Sequence, residues 1–220
     1  MNNVSSIALV RDVKSWLSKP RTWWIDRKIS KDIAETVLQH INKCVKAAHI
    51  FALRHPEYIE AVELLRYHDT PEWEEEDYTP GQISKEEKYK REKAVMDKFL
   101  KHGSAWKKAH DLWMRFETSN DEVVLIAHDF DKIDAWVQAL EYEARGIWNI
   151  DGEWKKMSDF FDYTLTKITH PILKRIYEIL LEKRYPQINY YDQYFFLLKC
   201  DGDIELYEQY MEQKLGMVNN

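Results

Sequence analysis

Two histidines and two aspartates of this chain have side chains that could together hold a metal ion. His68 and Asp69 are adjacent, His40 lies upstream and Asp131 downstream, so the four come from three separate segments. Imidazole nitrogens and carboxylate oxygens suit Mn, Co, Mg, Fe, Ni or Zn, and the set does not distinguish among them. A divalent metal can polarise a phosphate oxygen and lower the pKa of a bound water. The residue types therefore predict hydrolysis of a phosphate ester.

Glu72 is the candidate proton carrier. It follows Asp69 by three residues, a spacing that in a helical turn brings its carboxylate within reach of a bound water or a leaving group. The acidic run that follows, Glu74-Glu75-Glu76-Asp77, would ordinarily be a solvated loop. Within that run we single out Asp77 alone as a candidate functional residue.

A second His-Asp pair, His128-Asp129, competes with the first as a source of ligands. On a helix, Asp129 and Asp131 are about 200° apart at roughly 100° per residue, so they cannot both face one metal. Asp131 shares a face with the small residues Ala127 and Ala135, which leave room for an ion. We predict Asp131 as the ligand and keep Asp129 as the alternative.

The elements that carry these residues are predicted to be helices. The chain has only 6 glycines and 6 prolines, and its apolar residues recur at helical spacing over long segments. We expect an all-α protein with serine N-caps at Ser30, Ser84 and Ser119. Residues 21–24 are interpreted as a connector and residues 70–83 as an ordered loop. The predicted helices cover residues 6–18, 30–53, 56–68, 84–102, 104–117, a segment beginning at 119, 154–168, 170–184, 190–200 and 203–215.

Composition excludes several classes of function. The net charge of -6 and a pI near 5.8 give no general attraction to a nucleic acid polymer or an anionic membrane surface. The two cysteines, Cys44 and Cys200, are too far apart for a metal motif or a disulfide framework. The first residues lack the pattern of a signal peptide, and no apolar run is long enough for a membrane helix. We expect a cytoplasmic protein that acts on small molecules.

The C-terminal segment is rich in aromatic residues, which suit core cover or a subunit interface. An interface would make the protein a homodimer. Stacking on a nucleotide base is the alternative interpretation of these rings. They are Tyr190, Tyr191, Tyr194, Phe195, Phe196, Tyr207 and Tyr210.

Several motifs together resemble the HD-domain metal-dependent phosphohydrolases, and in particular their 5′-deoxynucleotidase-like branch. The resemblance covers roughly residues 15–184 and continues weakly at Phe160-Phe161 and His170-Pro171. Its main motifs are Pro20-Arg21-Thr22-x-Trp24, Glu35-x-Val37-x-x-His40, HDxxExxxxDxTP from His68 to Pro80, Lys85-Glu86-Glu87-Lys88, and DKxxxxxQALEYE from Asp131 to Glu143.

The resemblance implies a helical HD-domain bundle over residues 1–184 and an additional helical extension over residues 185–220. It implies one divalent metal held by His40, His68, Asp69 and Asp131, and release of phosphate from (deoxy)nucleoside 5′-monophosphates through a metal-activated water. Glu72 would be the acid/base. The implied substrate contacts are Arg21 at the phosphate, Asp77 at the sugar, and Trp24, Lys85 and Lys88.

Three other functions stay open at this point. One is a dNTP triphosphohydrolase, which would release tripolyphosphate, and another is hydrolysis of a different small nucleotide. The third is a catalytically silent HD scaffold that binds metal or a partner. Branch members usually carry glycine where this chain has Trp23 and Glu76, so base and sugar preference are not fixed.

Overall fold

The computed structural model describes residues 18–75, 77–78, 81–147 and 165–216. Within these residues the regular secondary structure is helical, apart from one isolated bridge between Pro20 and Thr36, so the predicted all-α class is confirmed. The expected helices over 6–18 and 154–168 fall almost wholly outside the described residues. The α-helices are α1 (Thr22–Asp26), α2 (Val37–Ala52), α3 (Ile59–Tyr67), α4 (Lys85–Phe99), α5 (Ser104–Thr118), α6 (Glu122–Ala144), α7 (Pro171–Glu182), α8 (Tyr190–Lys199) and α9 (Ile204–Lys214).

Three short 3₁₀ turns accompany the helices in the described residues. They span Pro56–Tyr58, Thr70–Trp73 and Leu100–His102. The chain divides into two compact units, the first made of Met1–Lys43 and Glu63–Ser119, the second of Cys44–Val62 and Asn120–Asn220. The proposed boundary between a domain and an extension at residue 184 stays a prediction.

The first unit is built around the helices α4 and α5, which pack against each other. Their apolar faces meet in a core of large side chains, with Tyr89 stacked on Trp113 at 5.8 Å between ring centroids. The 3₁₀ turn at 70–73 also packs on α4. The buried members of this core are Val95, Met96, Phe99, Ala109 and Trp113.

The segment after Pro20 was expected to be a connector, but Thr22–Asp26 forms the helix α1. Its start is fixed by antiparallel pairing with the segment before α2, since Arg21 N donates to Glu35 O at 2.8 Å and Val37 N to Lys19 O at 3.3 Å. This pairing places Arg21 beside Glu35, in the extended segment that precedes α2.

Helix α2 begins after Thr36, six residues later than the predicted N-cap Ser30. The Ser30 carbonyl instead accepts from Ile33 N and Ala34 N in a separate turn. Thr36 and Gln39 form the reciprocal capping box: Gln39 N donates to Thr36 Oγ1 at 3.1 Å, and Thr36 N donates to Gln39 Oε1 at 2.8 Å. The Thr-x-x-Gln pattern was visible in the sequence and was the correct start signal.

Thr36→Ala is expected to lower the free energy of unfolding by about 1 kcal/mol, because it leaves N-terminal amides of α2 without their acceptor. Ser30→Ala, at the exposed position of the wrong prediction, should change it by less than about 0.5 kcal/mol. Urea unfolding of both variants measures the difference. Equal losses would assign Thr36 no special capping role.

Two other predicted caps have different outcomes. Ser84 caps α4, since its hydroxyl accepts from Glu87 N at 3.1 Å, as predicted. Ser119 does not cap α6. Asp121 does, accepting from Val124 N at 3.1 Å, because the chain turns into the helix two residues later.

The second unit buries most of the aromatic C-terminal segment. Helix α8 packs on α6, α7 and α9, and Glu141 of α6 accepts a hydrogen bond from Tyr190 N at the start of α8. Phe196 and Tyr210 are stacked on each other, with ring centroids 3.9 Å apart. The buried rings are Tyr190, Tyr191, Tyr194, Phe195 and Tyr207. They serve as core cover within this unit.

In the part of the chain that the structure describes, none of the helices combines the length and the apolar character that crossing a bilayer requires.

Candidate metal centre and active site

Three of the predicted ligands converge in the first unit. His40 comes from α2, and His68 and Asp69 directly follow α3. His68 Nε2 lies 3.3 Å from His40 Nε2 and 3.2 Å from Asp69 Oδ2, and His40 Nε2 lies 3.7 Å from the same oxygen. Both histidines are buried, while the Asp69 side chain keeps 13% of its surface exposed. One ion could bind all three atoms, with access from one side.

The tautomer of His68 suits a metal ligand. Its Nδ1 lies 2.7 Å from the carbonyl oxygen of Leu65, and because a carbonyl only accepts, Nδ1 must carry the proton. In the neutral ring, Nε2 then presents a lone pair to His40 and Asp69. A backbone acceptor that fixes the ring in this way is a usual feature of histidine ligands. The donor set therefore fits a divalent cation.

The charge state of Asp69 also fits. Burial alone would raise its pKa, but the positive charge that His68 and His40 carry when protonated, together with the charge of Arg21, outweighs burial and holds the pKa well below its usual value. Asp69 is therefore an ionised carboxylate over the physiological pH range. A carboxylate with two imidazoles gives the mixed oxygen and nitrogen ligation that the sequence predicted.

Glu72 lies on the 3₁₀ turn that follows these ligands, with Glu72 N donating to Asp69 O at 3.2 Å. Its side chain is buried, and Oε2 has no hydrogen-bond partner among the described residues. Burial, and then the charges of Asp69 and Asp77, raise the pKa of Glu72 well above its usual value, against Arg21 and Lys88. This carboxyl can hold a proton beside the ligands.

Arg21 and Asp77 form one pair. Arg21 Nε donates to Asp77 Oδ2 at 3.2 Å, and both side chains are largely buried. Burial alone would lower the pKa of Arg21, but Asp77, Asp69 and Glu72 raise it further, so the guanidinium stays charged. Arg21 Nη1 is buried and has no hydrogen-bond partner among the described residues. A charged donor held this way suits an anionic oxygen.

Trp24 is held inside the protein, and its predicted contact with substrate stays a prediction. The side chain is buried at 1% exposure, and Nε1 donates to Glu35 Oε2 at 3.1 Å. The other oxygen of Glu35 accepts from Lys43 Nζ at 2.7 Å, and a Glu35 oxygen lies within 4.8 Å of a ring nitrogen of His40. Glu35 belongs to the motif Glu35-x-Val37-x-x-His40, but no role was predicted for it. Its position five residues before His40 was the one feature of the sequence that could have indicated a place near this ligand.

The two lysines of the predicted substrate set differ. Lys85 is exposed at the first turn of α4. Lys88, one turn further on, lies 3.3 Å from Glu92 Oε1, with 39% of its own side chain exposed. Burial lowers the pKa of Lys88, but Glu92, Glu72 and Asp69 raise it more, so the ammonium is charged. The charge of Lys88 therefore interacts with two acids of the candidate site, Glu72 and Asp69.

The rivals Asp129 and Asp131 lie on α6 in the second unit. Asp129 is fully buried, and its Oδ2 accepts from Thr169 N, Thr169 Oγ1 and His170 N, each at 2.9 Å. It therefore satisfies the amides that precede α7. Asp131 offers a carboxylate oxygen within 4.8 Å of Cys44 Sγ, and Cys44 lies on α2 one turn after His40. Asp131 as a metal ligand stays a prediction.

Asp129→Asn is expected to lower the free energy of unfolding by about 1 to 3 kcal/mol, because three part-buried hydrogen bonds lose their charged, fully buried acceptor. It should leave metal content unchanged. Asp131→Asn should do the reverse, losing metal with little change in stability. Urea unfolding and metal analysis of both variants separate the two roles. Metal loss in the Asp129 variant alone would reverse our assignment.

The chain is similar to proteins named 5′-deoxynucleotidase HDDC2 from several organisms. The chain is 28% identical over 168 residues to the 5′-deoxynucleotidase HDDC2 of Xenopus laevis, covering 75% of this chain and 80% of that protein. It is 29% identical over 167 residues to the Dictyostelium discoideum protein of the same name, covering 71% and 86%. For Homo sapiens HDDC2, identity is 27% over 168 residues, covering 74% and 79%.

The sequence pattern of the HD domain family matches residues 17–171, well over half of the chain. The match includes every predicted ligand and Glu72, and it ends at the first residue of α7. It confirms the resemblance drawn from the motifs, and the chain belongs to the HD domain family.

Proposed function

We propose that this protein is a metal-dependent phosphohydrolase that releases phosphate from (deoxy)nucleoside 5′-monophosphates. The observation that carries the proposal is the convergence of His40, His68 and Asp69 next to the buried carboxyl of Glu72. Relatives named 5′-deoxynucleotidase, similar over about three quarters of this chain, support the substrate class.

The metal site is proposed to comprise His40, His68, Asp69 and Asp131. A divalent cation held there would polarise a phosphate oxygen and lower the pKa of its bound water. The fixed tautomer of His68 and the ionised Asp69 prepare the chain for such an ion. Asp131 is included on the family resemblance and on its position beside Cys44, one helical turn after His40.

The other residues have roles that follow from their surroundings. Arg21, held through Nε by Asp77, has Nη1 left to donate to a phosphate oxygen. The charge of Lys88 adds to the attraction of a dianionic phosphate. Asp77 is proposed to accept from a sugar hydroxyl as well. Glu72 donates its proton to the 5′-oxygen as the bond from that oxygen to phosphorus breaks.

A nucleotide panel tests the proposal. Deoxynucleoside monophosphates, ribonucleoside monophosphates and dNTPs are each incubated with Mn²⁺, Co²⁺ or Mg²⁺, and the products are separated. We expect inorganic phosphate from the monophosphates. Tripolyphosphate from dNTPs would instead identify a triphosphohydrolase, and no product with any metal would favour a silent HD scaffold.

A further inference from the structure

Lys88 and Glu92 lie one turn apart on α4, the helix that packs against the 3₁₀ turn carrying Glu72. Lys88 Nζ is 3.3 Å from Glu92 Oε1. Glu92 is buried, at 3% exposure, whereas the lysine side chain is 39% exposed. The ammonium is therefore anchored by a buried carboxylate, while part of the lysine side chain remains exposed to solvent.

Glu92 differs from the other acids of α4. Glu87 pairs with Arg91 at 2.7 Å and Asp97 with Lys93 at 2.6 Å, and all four side chains are exposed by 39% or more. Such surface pairs contribute little. Burying a carboxylate costs desolvation free energy that an ion pair only partly offsets, and replacing a buried ion pair by apolar residues is often neutral or stabilising. Stability alone therefore does not explain an acid at position 92.

Lys88 and Glu92 both interact electrostatically with acids of the candidate site. Burial raises the pKa of Glu92 to about 7, with Lys88 lowering it and with Glu117 and Asp69 raising it. Lys88 in turn lowers the pKa of Glu72. Its ammonium thus interacts electrostatically with four carboxylates, Glu92, Glu72, Asp69 and Glu117. Without Glu92, the other three would compete for it.

We propose that Glu92 is a positioning residue that holds the Lys88 ammonium away from Glu72 and in place for the phosphate of the substrate. This inference rests on the proposed function. When Glu92 is ionised, Lys88 has a fixed partner and remains available to the anion. When Glu92 is neutral, Lys88 loses this partner, and phosphate binding is weakened.

A double-mutant cycle of Glu92→Gln and Lys88→Met tests whether Glu92 acts through Lys88. Two quantities are measured: KM and kcat for a deoxynucleoside monophosphate, and the Kd of inorganic phosphate by calorimetry. We expect Glu92→Gln to raise KM and the phosphate Kd about tenfold, as for a lost charge-assisted contact. In the Lys88→Met background the same change should have no further effect. Glu87→Gln is the surface control and should match wild type.

Glu92→Asp separates charge from packing, because it keeps the carboxylate but shortens its reach. If Glu92 positions Lys88 by charge, the aspartate variant should be closer to wild type than the glutamine variant. If position 92 merely fills space, the nearly isosteric glutamine should be the better replacement. Melting temperatures of all variants identify any that are partly unfolded.

The pH dependence gives an independent signature. With a pKa of about 7, Glu92 is ionised above neutral pH and protonated below it, so the pair with Lys88 weakens as pH falls. The groups facing Glu92 are Lys88, Glu117 and Asp69. The phosphate Kd of Glu92→Gln should exceed that of wild type about tenfold near pH 8.5 and converge with it near about pH 5.5.

Additive losses in the cycle, an unchanged Glu92→Gln variant, or a Kd ratio that is constant with pH would each overturn the positioning role. Failure of the proposed function is recognised separately, by wild-type protein that releases no phosphate from any nucleotide. In that case the phosphate Kd values alone complete the cycle and still decide the role of Glu92.

Discussion

Glu72→Gln is expected to lower turnover by roughly 10²- to 10⁴-fold while metal remains bound, because glutamine keeps the size of the side chain but cannot donate or accept the proton. Glu72 is buried beside the ligands, so bulk water cannot easily replace it as the proton source. Single-turnover rates with a deoxynucleoside monophosphate measure the loss. Metal content and substrate affinity should stay near those of wild type.

Glu74→Gln is the matched control, two residues further along. Glu74 is exposed and pairs with Lys98 at 2.6 Å on the surface, so its loss should leave turnover unchanged. If Glu72→Gln with full metal content turned over at the native rate, Glu72 would have no part in proton transfer. Asp77 would then be the next acid to replace.

Local signals predicted most of the helices. The capping pair at Ser84 and the proline at Pro56 each act within one turn, and both mark the starts that the structure has. The predicted start of α2 was wrong, although the capping box formed by Thr36 and Gln39 is an equally local pattern. The apolar stripe from Ile33 onward favoured an earlier start, but residues 35–37 pair with residues 19–21 instead. A contact between segments outweighed helical periodicity there.

The identities of the candidate site residues could be predicted from the sequence. Their hydrogen-bond partners and burial could be predicted much less well. The adjacency of His68 and Asp69 limits how they can be placed, and the motif identified Glu72 after them. The hydrogen bonds that assign Asp129 a structural role come from Thr169 and His170, some 40 residues away in sequence. No local pattern could reveal them. The burial of Glu92 was equally hidden, because its sequence neighbours form ordinary surface pairs.

His68→Ala and Asp69→Ala are each expected to weaken metal binding by more than about 100-fold, the upper range for residues that only support a ligand. Each change removes one of three donor atoms that lie within 4.8 Å of one another. The donors that remain are not expected to hold a divalent ion through extensive dialysis. Metal content by elemental analysis after dialysis measures the loss, and far-UV circular dichroism should show the helices retained.

His110 and Asp97 provide the matched control, because they form another histidine–carboxylate pair in the same unit, 3.0 Å apart. Asp111 lies at the other ring nitrogen of His110, at 3.7 Å, and among the described residues the pair belongs to no group of three donor atoms within 4.8 Å of one another. His110→Ala and Asp97→Ala should therefore keep wild-type metal content. If the His68 and Asp69 variants also kept it, the ion would have to bind elsewhere, and the convergence of His40, His68 and Asp69 would need another explanation. Metal loss confined to His68 and Asp69 would tie the binding of the cation to the arrangement of donors on α2 and after α3, and not to histidine–carboxylate pairing as such.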